Sequence, residues 1–404
     1  MIKYLFAVTL MLIASACASP KIPNITETKP VVEETAKPAI EEPEKVIVEE
    51  ESKPTPPPQE EKKKAKIALL LPLSGQHSNI GKAMFNASEL AFFDISAKNI
   101  ILMPFDTKGT EEGAKIAAKK AIEAGSSIIL GPVFRYTTRA VMPVIKNSEI
   151  NLVSFSNDKS LLEQDNIFLL SFNPAEQIER VVDYAHSEAI DRFSALVPDN
   201  TYGITTINEL TKTLEERNLP FEKIEWYLTT DENLSKSIKR VTRLNAGETD
   251  EPEKSVGLLV PEGGRVLLSI ASRLYRKGIS GKRFRLLGSC EWDDETIAKE
   301  PKLEGGWFAT SPPKPREVFE NNFRNLFNYK PIRIASLAYD GIALAAYLAN
   351  GERFDRKALT DKRGFVGVNG IFRFNKNGMA ERALAVIEIT KDGLVVIDPA
   401  PESF

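Results

Sequence analysis

Cysteine and histidine are scarce in this chain, with two residues of each among 404. Cys17 lies near the N-terminus and Cys290 lies far along the chain, so no disulfide framework can form. His77 and His186 are far apart, and neither has a cysteine, histidine or carboxylate at metal-ligand spacing. This scarcity argues against a zinc site and against a histidine-based hydrolytic site.

Two patterns that mark catalytic or nucleotide-binding loops are also missing. The sequence contains neither Gly-x-Ser-x-Gly nor Gly-x-x-x-x-Gly-Lys-Ser/Thr. Its 53 basic and 56 acidic residues nearly cancel, which leaves no basic excess for a nucleic-acid backbone. We therefore predict a protein that is not an enzyme, has no cofactor and no metal, and does not bind nucleic acid.

The N-terminus has the order of a signal peptide: one basic residue, an apolar run, and then Ala14, Ser15 and Ala16 before Cys17. The apolar run is well short of the ~20 residues of a membrane-spanning helix. Cys17 directly after small residues resembles a bacterial lipobox, in which acyl chains on the cysteine hold the protein on a membrane. By the same resemblance, Ala18 favours the outer membrane. Ordinary cleavage after Ala16, giving a soluble periplasmic protein, is the alternative.

Proline, glutamate, lysine and threonine dominate the segment after Cys17, and residues 54–58 read Pro-Thr-Pro-Pro-Pro. Such a composition cannot form a packed core. We interpret 1–16 as a signal peptide and 17–65 as a lipid-anchored tether. Because proline favours extended polyproline II at ~3 Å per residue, this tether could reach on the order of 100 Å.

Beyond residue 66, continuous apolar runs alternate with amphipathic stretches, which predicts parallel strands flanked by helices. The length and the 42% hydrophobic content suffice for two domains. Strands are predicted at 67–71, 100–105, 127–130, 151–155 and 168–172, with helices at 80–95, 111–124 and 138–146. A second series has helices at 175–188, 205–217, 234–244 and 264–277 and strands at 193–197, 223–228, 256–260 and 284–287. The predicted fold is α/β, with two doubly wound parallel sheets and a cleft between them.

Several motifs resemble one known family when they are taken in order. They are Ile67 to Gly75 with Gly81 opening the first helix, Leu130-Gly131-Pro132, Asp199 to Gly203, Ala338-Tyr339-Asp340-Gly341, and Gly370 to Gly378. Together they resemble the type 1 periplasmic binding proteins related to the leucine/isoleucine/valine-binding protein. The resemblance implies a two-lobed fold, with 66–172 and 309–383 in lobe 1 and 173–308 and 384–404 in lobe 2. It also implies a cleft that binds a small amino-acid-like ligand.

Ligands of such folds lie at the carboxyl ends of the strands, and the loops there supply the candidate contacts. Arg135 could bind a carboxylate, Asp158 an ammonium group, and Glu291 an ammonium group from the second lobe. An ion pair between Arg135 and Asp158 that leaves no ligand site is the alternative. The full set of predicted ligand contacts is Ser74, Gly75, Arg135, Tyr136, Ser156, Asn157, Asp158, Tyr202 and Glu291.

The usual ligand-binding hydroxyls are replaced at Arg135 and Tyr136, and the chain begins with a lipobox and a tether. In these features it resembles the penicillin-binding protein activator lipoproteins of the Gram-negative outer membrane, although it lacks their helical-repeat N-terminal domain. This resemblance implies a regulator of peptidoglycan synthesis whose partner is a peptidoglycan synthase. The alternative is a solute-binding lipoprotein for branched-chain or polar amino acids, whose partner is an ABC permease.

Overall fold

The computed structural model describes residues 64–228, 231–243, 255–277 and 284–404. The predicted signal peptide, Cys17 and nearly all of the predicted tether lie outside the described residues. All described residues belong to one compact unit, Glu61–Phe404. Strands and helices alternate in it as predicted, and the fold is α/β with two lobes. Among the described helices, none has both the length and the apolar character of a membrane span.

The first part of the unit forms a parallel sheet with helices on both faces. Its elements are β1 (Ala65–Leu71), α1 (Ser78–Asp94), β2 (Ile100–Asp106), α2 (Glu111–Glu123), β3 (Ile128–Leu130), α3 (Arg135–Ile145), β4 (Asn151–Ser154) and β5 (Ile167–Leu169). The five strands are ordered β2-β1-β3-β4-β5 and all pair in parallel. The inner strands are continuous apolar runs because helices cover both faces of the sheet.

The middle part of the unit builds a second sheet. Its elements are α4 (Pro174–Ser187), β6 (Arg192–Pro198), α5 (Thr201–Glu216), β7 (Phe221–Tyr227), α6 (Asp231–Val241), β8 (Val256–Leu259), α7 (Gly264–Arg276), β9 (Phe284–Gly288) and β10 (Trp307–Thr310). One face of this sheet packs against α4 and α5, and the other packs against α6 and α7.

The C-terminal part contributes to both lobes. Its elements are α8 (Pro313–Phe327), α9 (Ala335–Asn350), α10 (Arg356–Leu359), β11 (Phe365–Gly367), β12 (Gly370–Phe374), β13 (Ala380–Arg382), β14 (Ala385–Thr390) and β15 (Gly393–Asp398). Helices α8 and α9 share the core of the first sheet, whereas β14 and β15 join the second as antiparallel strands. The second sheet thus has the order β15-β14-β10-β9-β8-β6-β7. The predicted Gly370 to Gly378 hairpin is present as β12 and β13.

The chain passes between the lobes at three places, which together form the hinge. These are the short segments between β5 and α4, between β10 and α8, and between β13 and β14. The exact residue limits of the lobes remain a prediction.

A buried ion pair lies beside the hinge. Arg382, the last residue of β13, donates from Nη1 to Asp340 Oδ2 of α9 at 2.9 Å, and both side chains are fully buried. Asp340 also accepts from the backbone N–H of Val368 at 2.8 Å and from Asn369 Nδ2 at 2.9 Å. Arg382 Nε donates to the backbone oxygen of Ser171, 3.4 Å away in the first hinge segment. The pair therefore links α9, the β11–β13 sheet and the hinge.

Replacing Asp340 should destabilise the protein far more than replacing an exposed acid. In Asp340→Ala the Arg382 guanidinium would be left buried and unpaired, which costs about 3–5 kcal/mol of the free energy of unfolding. The measurement is urea unfolding followed by circular dichroism. Glu232→Ala, which removes an exposed i,i+4 ion pair with Lys236, is the control and should cost less than about 1 kcal/mol. Similar small losses in both variants would contradict this reading.

Candidate functional site

Two of the predicted ligand contacts, Ser74 and Gly75, lie in the loop after β1, and this loop is tied to the loop after β2. The hydroxyl of Ser74 donates to Asp106 Oδ2 at 2.5 Å, and the backbone N–H of Leu73 donates to Oδ1 at 2.9 Å. Gly75 has φ +80°, and a side chain there would meet the backbone oxygen of Lys108. Burial acts to raise the pKa of Asp106, but these hydrogen bonds outweigh it and the pKa lies below its ordinary value. Ser74 therefore serves loop structure.

Arg135 and Tyr136 lie in the first turn of α3, so this helix begins earlier than the predicted residue 138. The early start is stabilised by the side chain of Thr137, whose Oγ1 accepts from the backbone N–H of Phe134 at 3.2 Å. Tyr136 stacks on Phe134 with ring centroids 5.5 Å apart, and its hydroxyl donates to the backbone oxygen of Gly109 at 3.0 Å. Tyr136 thus joins α3 to the start of α2.

Arg135 forms an ion pair with Asp158, with 2.5 Å between Nε and Oδ2. Asp158 follows β4 and caps a 3-10 turn, Lys159–Leu161, by accepting from the backbone N–H of Ser160 at 2.9 Å. Burial acts to raise the pKa of Asp158, but the hydrogen bonds from Ser160 and the charges of Arg135 and Arg139 outweigh it and lower the pKa. The predicted alternative, an Arg135 to Asp158 bridge, is therefore present, and both residues belong to the first lobe.

Ser156 and Asn157 lie between β4 and this turn. Ser156 is buried, and its Oγ accepts from the backbone N–H of Asp158 at 3.3 Å. Its own backbone N–H donates to Ser154 Oγ at 3.1 Å. Asn157 is exposed, and within the described ranges its side chain makes no hydrogen bond. Ser156 is thus a structural residue of the loop, and Asn157 is open to solvent.

In the second lobe, Tyr202 lies in the first turn of α5, which begins at Thr201 and not at the predicted residue 205. Asn200 caps this helix by accepting from the backbone N–H of Gly203 at 3.0 Å. Burial raises the pKa of Tyr202 to about 12, although a hydrogen bond with Ser289 acts in the opposite direction.

Glu291 is exposed in a 3-10 turn, Cys290–Trp292, directly after β9. Its negative charge contributes to the raised pKa of Tyr202, so the two residues are neighbours. The loops after β6 and β9 are therefore brought together, as their places at the carboxyl ends of parallel strands predicted.

An ion pair between Lys159 and Glu209 connects the two lobes across the cleft. Lys159 directly follows Asp158 in the first lobe, and Glu209 lies on α5, the helix that begins beside Tyr202. This contact places the loop after β4 opposite α5. The Arg135–Asp158 pair and the Tyr202–Glu291 neighbourhood therefore lie at facing ends of the two sheets.

A model of the periplasmic binding proteins matches residues 64–393 of the chain. The chain belongs to the periplasmic binding protein family. This membership confirms the predicted two-lobed fold of the leucine-binding-protein type, and it implies a periplasmic location.

A curated relative matches part of the chain. An uncharacterised protein of Rickettsia prowazekii (strain Madrid E) is 26% identical over 178 residues, which are 44% of this chain and 47% of that protein. The matched segment thus spans about half the length of the relative.

Solved structures show the same fold at low identity. A provisionally described branched-chain amino acid ABC transporter protein of Rhodospirillum rubrum has a TM-score of 0.71 and 15% identity, over 83% of this chain and 100% of the other. An ABC transporter substrate-binding protein of Desulfitobacterium hafniense in complex with Leu has a TM-score of 0.60 and 14% identity, over 83% and 100%. A solute-binding protein of Rhodopseudomonas palustris BisB5 in complex with 3,4-dihydroxybenzoic acid has a TM-score of 0.58 and 17% identity, over 84% and 97%.

Charged residues outside the predicted contacts also form ion pairs between the lobes of this periplasmic binding protein. Asp293 of the second lobe binds Arg316 Nη2 at 2.7 Å and Arg333 Nη1 at 3.0 Å, both from segments that pack on the first lobe. Thr310 donates to Asp293 at 2.8 Å. The partners are 17, 23 and 40 positions from Asp293 and share no motif, so only the folded chain brings them together.

Two further groups near the loops of the second sheet are buried and protonated. Tyr227 donates to Glu262 Oε1 at 2.5 Å, and burial followed by this hydrogen bond raises the pKa of Tyr227. Burial likewise raises the pKa of the Cys290 thiol to about 11, so it carries no nucleophilic thiolate at neutral pH. The described residues contain no cluster of His, Cys, Asp and Glu that could hold a metal ion.

Removing the charge of Asp158 should have a small, pH-dependent effect. Asp158→Asn keeps the cap of the 3-10 turn but breaks the ion pair, whose Arg135 side chain is 63% exposed, so the loss at pH 7 should be below about 1 kcal/mol. Because folding lowers the pKa of Asp158, its charge stabilises the protein above the unfolded pKa of 3.8, and this stability disappears as pH falls through the folded pKa. Urea unfolding should show the same difference in the free energy of unfolding between wild type and Asp158→Asn at pH 7 and pH 5, and a smaller difference at pH 3. A difference in the free energy of unfolding that grows as the pH falls would contradict a stabilising charge on Asp158.

Proposed function

We propose that this protein is the solute-binding component of an ABC transporter and that it takes a small amino-acid-like carboxylate in the cleft. The observation that carries the proposal is the Arg135–Asp158 pair, whose charges lie 2.5 Å apart at the carboxyl ends of β3 and β4. An amino acid presents the same two charges. Its carboxylate would take the place of Asp158 on Arg135, and its ammonium group would turn to Asp158 or to Glu291.

The exchange of partners is energetically feasible because the existing pair is exposed. With 63% of the Arg135 side chain accessible to solvent, the pair contributes at most about 1 kcal/mol. A guanidinium can bind a ligand carboxylate through two parallel N–H donors, which is a stronger arrangement than the single contact it makes with Asp158. Leucine and 3,4-dihydroxybenzoic acid, the ligands of two similar structures, both carry a carboxylate. A carboxylate is therefore the expected common feature of the ligand.

Binding is tested by thermal unfolding and calorimetry with leucine, aspartate and benzoate. A ligand present at 100 times its Kd should stabilise the folded protein by ~2.7 kcal/mol. Arg135→Ala should abolish this stabilisation. Arg139→Ala, on the same helix one turn later and paired with Glu163 at 3.6 Å, is the matched control and should retain it. Native mass spectrometry of gently purified protein should also reveal a bound ligand that is lost on denaturation.

Absence of any response to millimolar ligand would contradict the transport proposal. Equal responses in the Arg135→Ala and Arg139→Ala variants would contradict the assignment of Arg135 alone.

A second candidate is a lipid-anchored regulator of a peptidoglycan synthase at the outer membrane. It is favoured because several predicted ligand contacts already have partners within the protein. Ser74 donates to Asp106, Ser156 accepts from the backbone of its own loop, and Arg135 is paired with Asp158. Polar groups of the cleft that already form hydrogen bonds or ion pairs with each other do not require a bound solute as a partner. In this reading, lipid on Cys17 and the tether would bring the two-lobed unit to the synthase.

Reconstitution would test the regulator directly. A purified bifunctional penicillin-binding protein in liposomes should polymerise glycan faster when lipidated wild-type chain is added. Cys17→Ser at the same concentration should lose most of this effect, because the local concentration that the anchor provides is gone. A polymerisation rate that the wild-type chain does not change would rule this candidate out.

A further inference from the structure

A cavity lies beside the hinge and includes the Lys159–Glu209 pair that joins the two lobes. It measures about 690 Å³, and residues of both lobes line it. The first lobe contributes Lys159 and the β12–β13 hairpin, and the second contributes α4 and α5. None of the nine predicted contacts is among its lining residues. A molecule in this cavity would touch both lobes and the hinge at once.

Most charged groups around the cavity already have partners. These ion pairs are Lys159–Glu209, Arg180–Asp398, Arg217–Asp183 and Arg373–Glu381. Both residues of the Lys159–Glu209 pair line the cavity, and each of the other pairs contains one lining residue. The charges that remain unsatisfied therefore decide which ligand the cavity could take.

Two carboxyl groups of α4 line the cavity and form no ion pair with a described residue. Glu176 Oε1 is enclosed and makes no hydrogen bond, and Glu179, one helical turn later, forms no hydrogen bond or ion pair with any described residue. Residues three apart on a helix lie on the same face, so both carboxyl groups are directed to the same side of α4. Burial raises the pKa of both groups, and that of Glu176 reaches about 8. The charges of Arg382 near Glu176, and of Lys212 and Arg217 near Glu179, offset part of the cost of burial. An ammonium group between the two carboxyl groups would offset more of it.

Arg382, whose charge and backbone N–H act on Glu176, provides one donor in the cavity. Its Nη1 and Nε are used by Asp340 and Ser171, but its Nη2 is buried and makes no hydrogen bond. A buried guanidinium N–H without an acceptor is costly, and a ligand oxygen would satisfy it. The cavity thus offers two acceptor carboxyl groups and one donor.

We propose that this hinge cavity is a second binding site, which takes a small organic molecule with a primary ammonium group between Glu176 and Glu179. A volume of about 690 Å³ is within the ~300–1,000 Å³ of small-molecule sites. A metal ion is a poorer fit, because the described residues provide no cluster of ligands for one. Because the site joins both lobes, its ligand would stabilise one relative position of the lobes and so couple to the cleft.

The pH dependence of binding gives a signature that packing alone would not produce. The ammonium group of a diamine stays charged up to about pH 10, whereas Glu176 loses its proton only near pH 8. Affinity should therefore rise by several-fold from pH 6.5 to pH 8.5. The charged groups that line the cavity with Glu176 are Glu179, Arg180 and Asp183 on its own helix, Glu209 and Lys212 on α5, Lys159, Glu381 and Arg382.

The test is calorimetric titration of the full-length chain with 1,4-diaminobutane at pH 8.5. Wild type should bind it, and Glu176→Gln and Glu179→Gln should each weaken binding at least tenfold. The control is Glu215→Gln, an exposed acid of α5 outside the cavity, which should bind as wild type does. 1,4-Butanediol, which has the same carbon chain without charge, should not bind. Circular dichroism of each variant checks that it is folded.

Three results would overturn the hinge site: no binding of millimolar 1,4-diaminobutane, equal binding by the Glu176→Gln and Glu179→Gln variants, or equal binding of the diol. Retained leucine or benzoate binding with no diamine binding would remove this site and leave the transport proposal intact.

Discussion

The buried ion pair between Asp340 and Arg382 is the interaction on which the two-lobed arrangement depends most. It lies where β13 leaves the first lobe, and through Arg382 it also holds the backbone of Ser171 in another hinge segment. Arg382 packs between the rings of Phe172 and Phe372, 5.4 and 5.0 Å from their centroids. Two charges enclosed in this way are tolerable only while each keeps its partner, so the geometry of the hinge is narrowly determined.

The cleft and the hinge cavity differ in how their charges are satisfied. In the cleft, Arg135 and Asp158 are paired and partly exposed, so a ligand can exchange with either partner at low cost. In the hinge cavity, Glu176 and Arg382 each have an enclosed polar atom without a partner. Water does not reach these atoms, and the cost of removing them from water has already been met in folding. A ligand that forms hydrogen bonds with them would therefore bind more tightly.

The fold was predicted from the hydrophobic pattern. Two helix starts were predicted wrongly, because hydrogen bonds at the helix N-termini begin these helices earlier than the pattern indicates. Continuous apolar runs such as 67–71 predicted buried parallel strands, and the structure confirms them. The starts of α3 and α5 were predicted at residues 138 and 205, later than Arg135 and Thr201, where the helices begin. Thr137 and Asn200 begin these helices through hydrogen bonds to the backbone, which periodicity does not register. As a consequence, Arg135 and Tyr202 are helical residues and not loop residues.

The sequence by itself determined the α/β class, the family resemblance and the loops that meet at the cleft, because strand order and strand direction fix which loops share one edge of a sheet. Only the tertiary structure decided which polar groups satisfy each other. Pairs such as Asp293 with Arg333, Lys159 with Glu209, and Asp340 with Arg382 join residues tens of positions apart, and their distances result from packing. The unsatisfied atoms of Glu176 and Arg382 are likewise visible only there, because burial belongs to the folded chain as a whole.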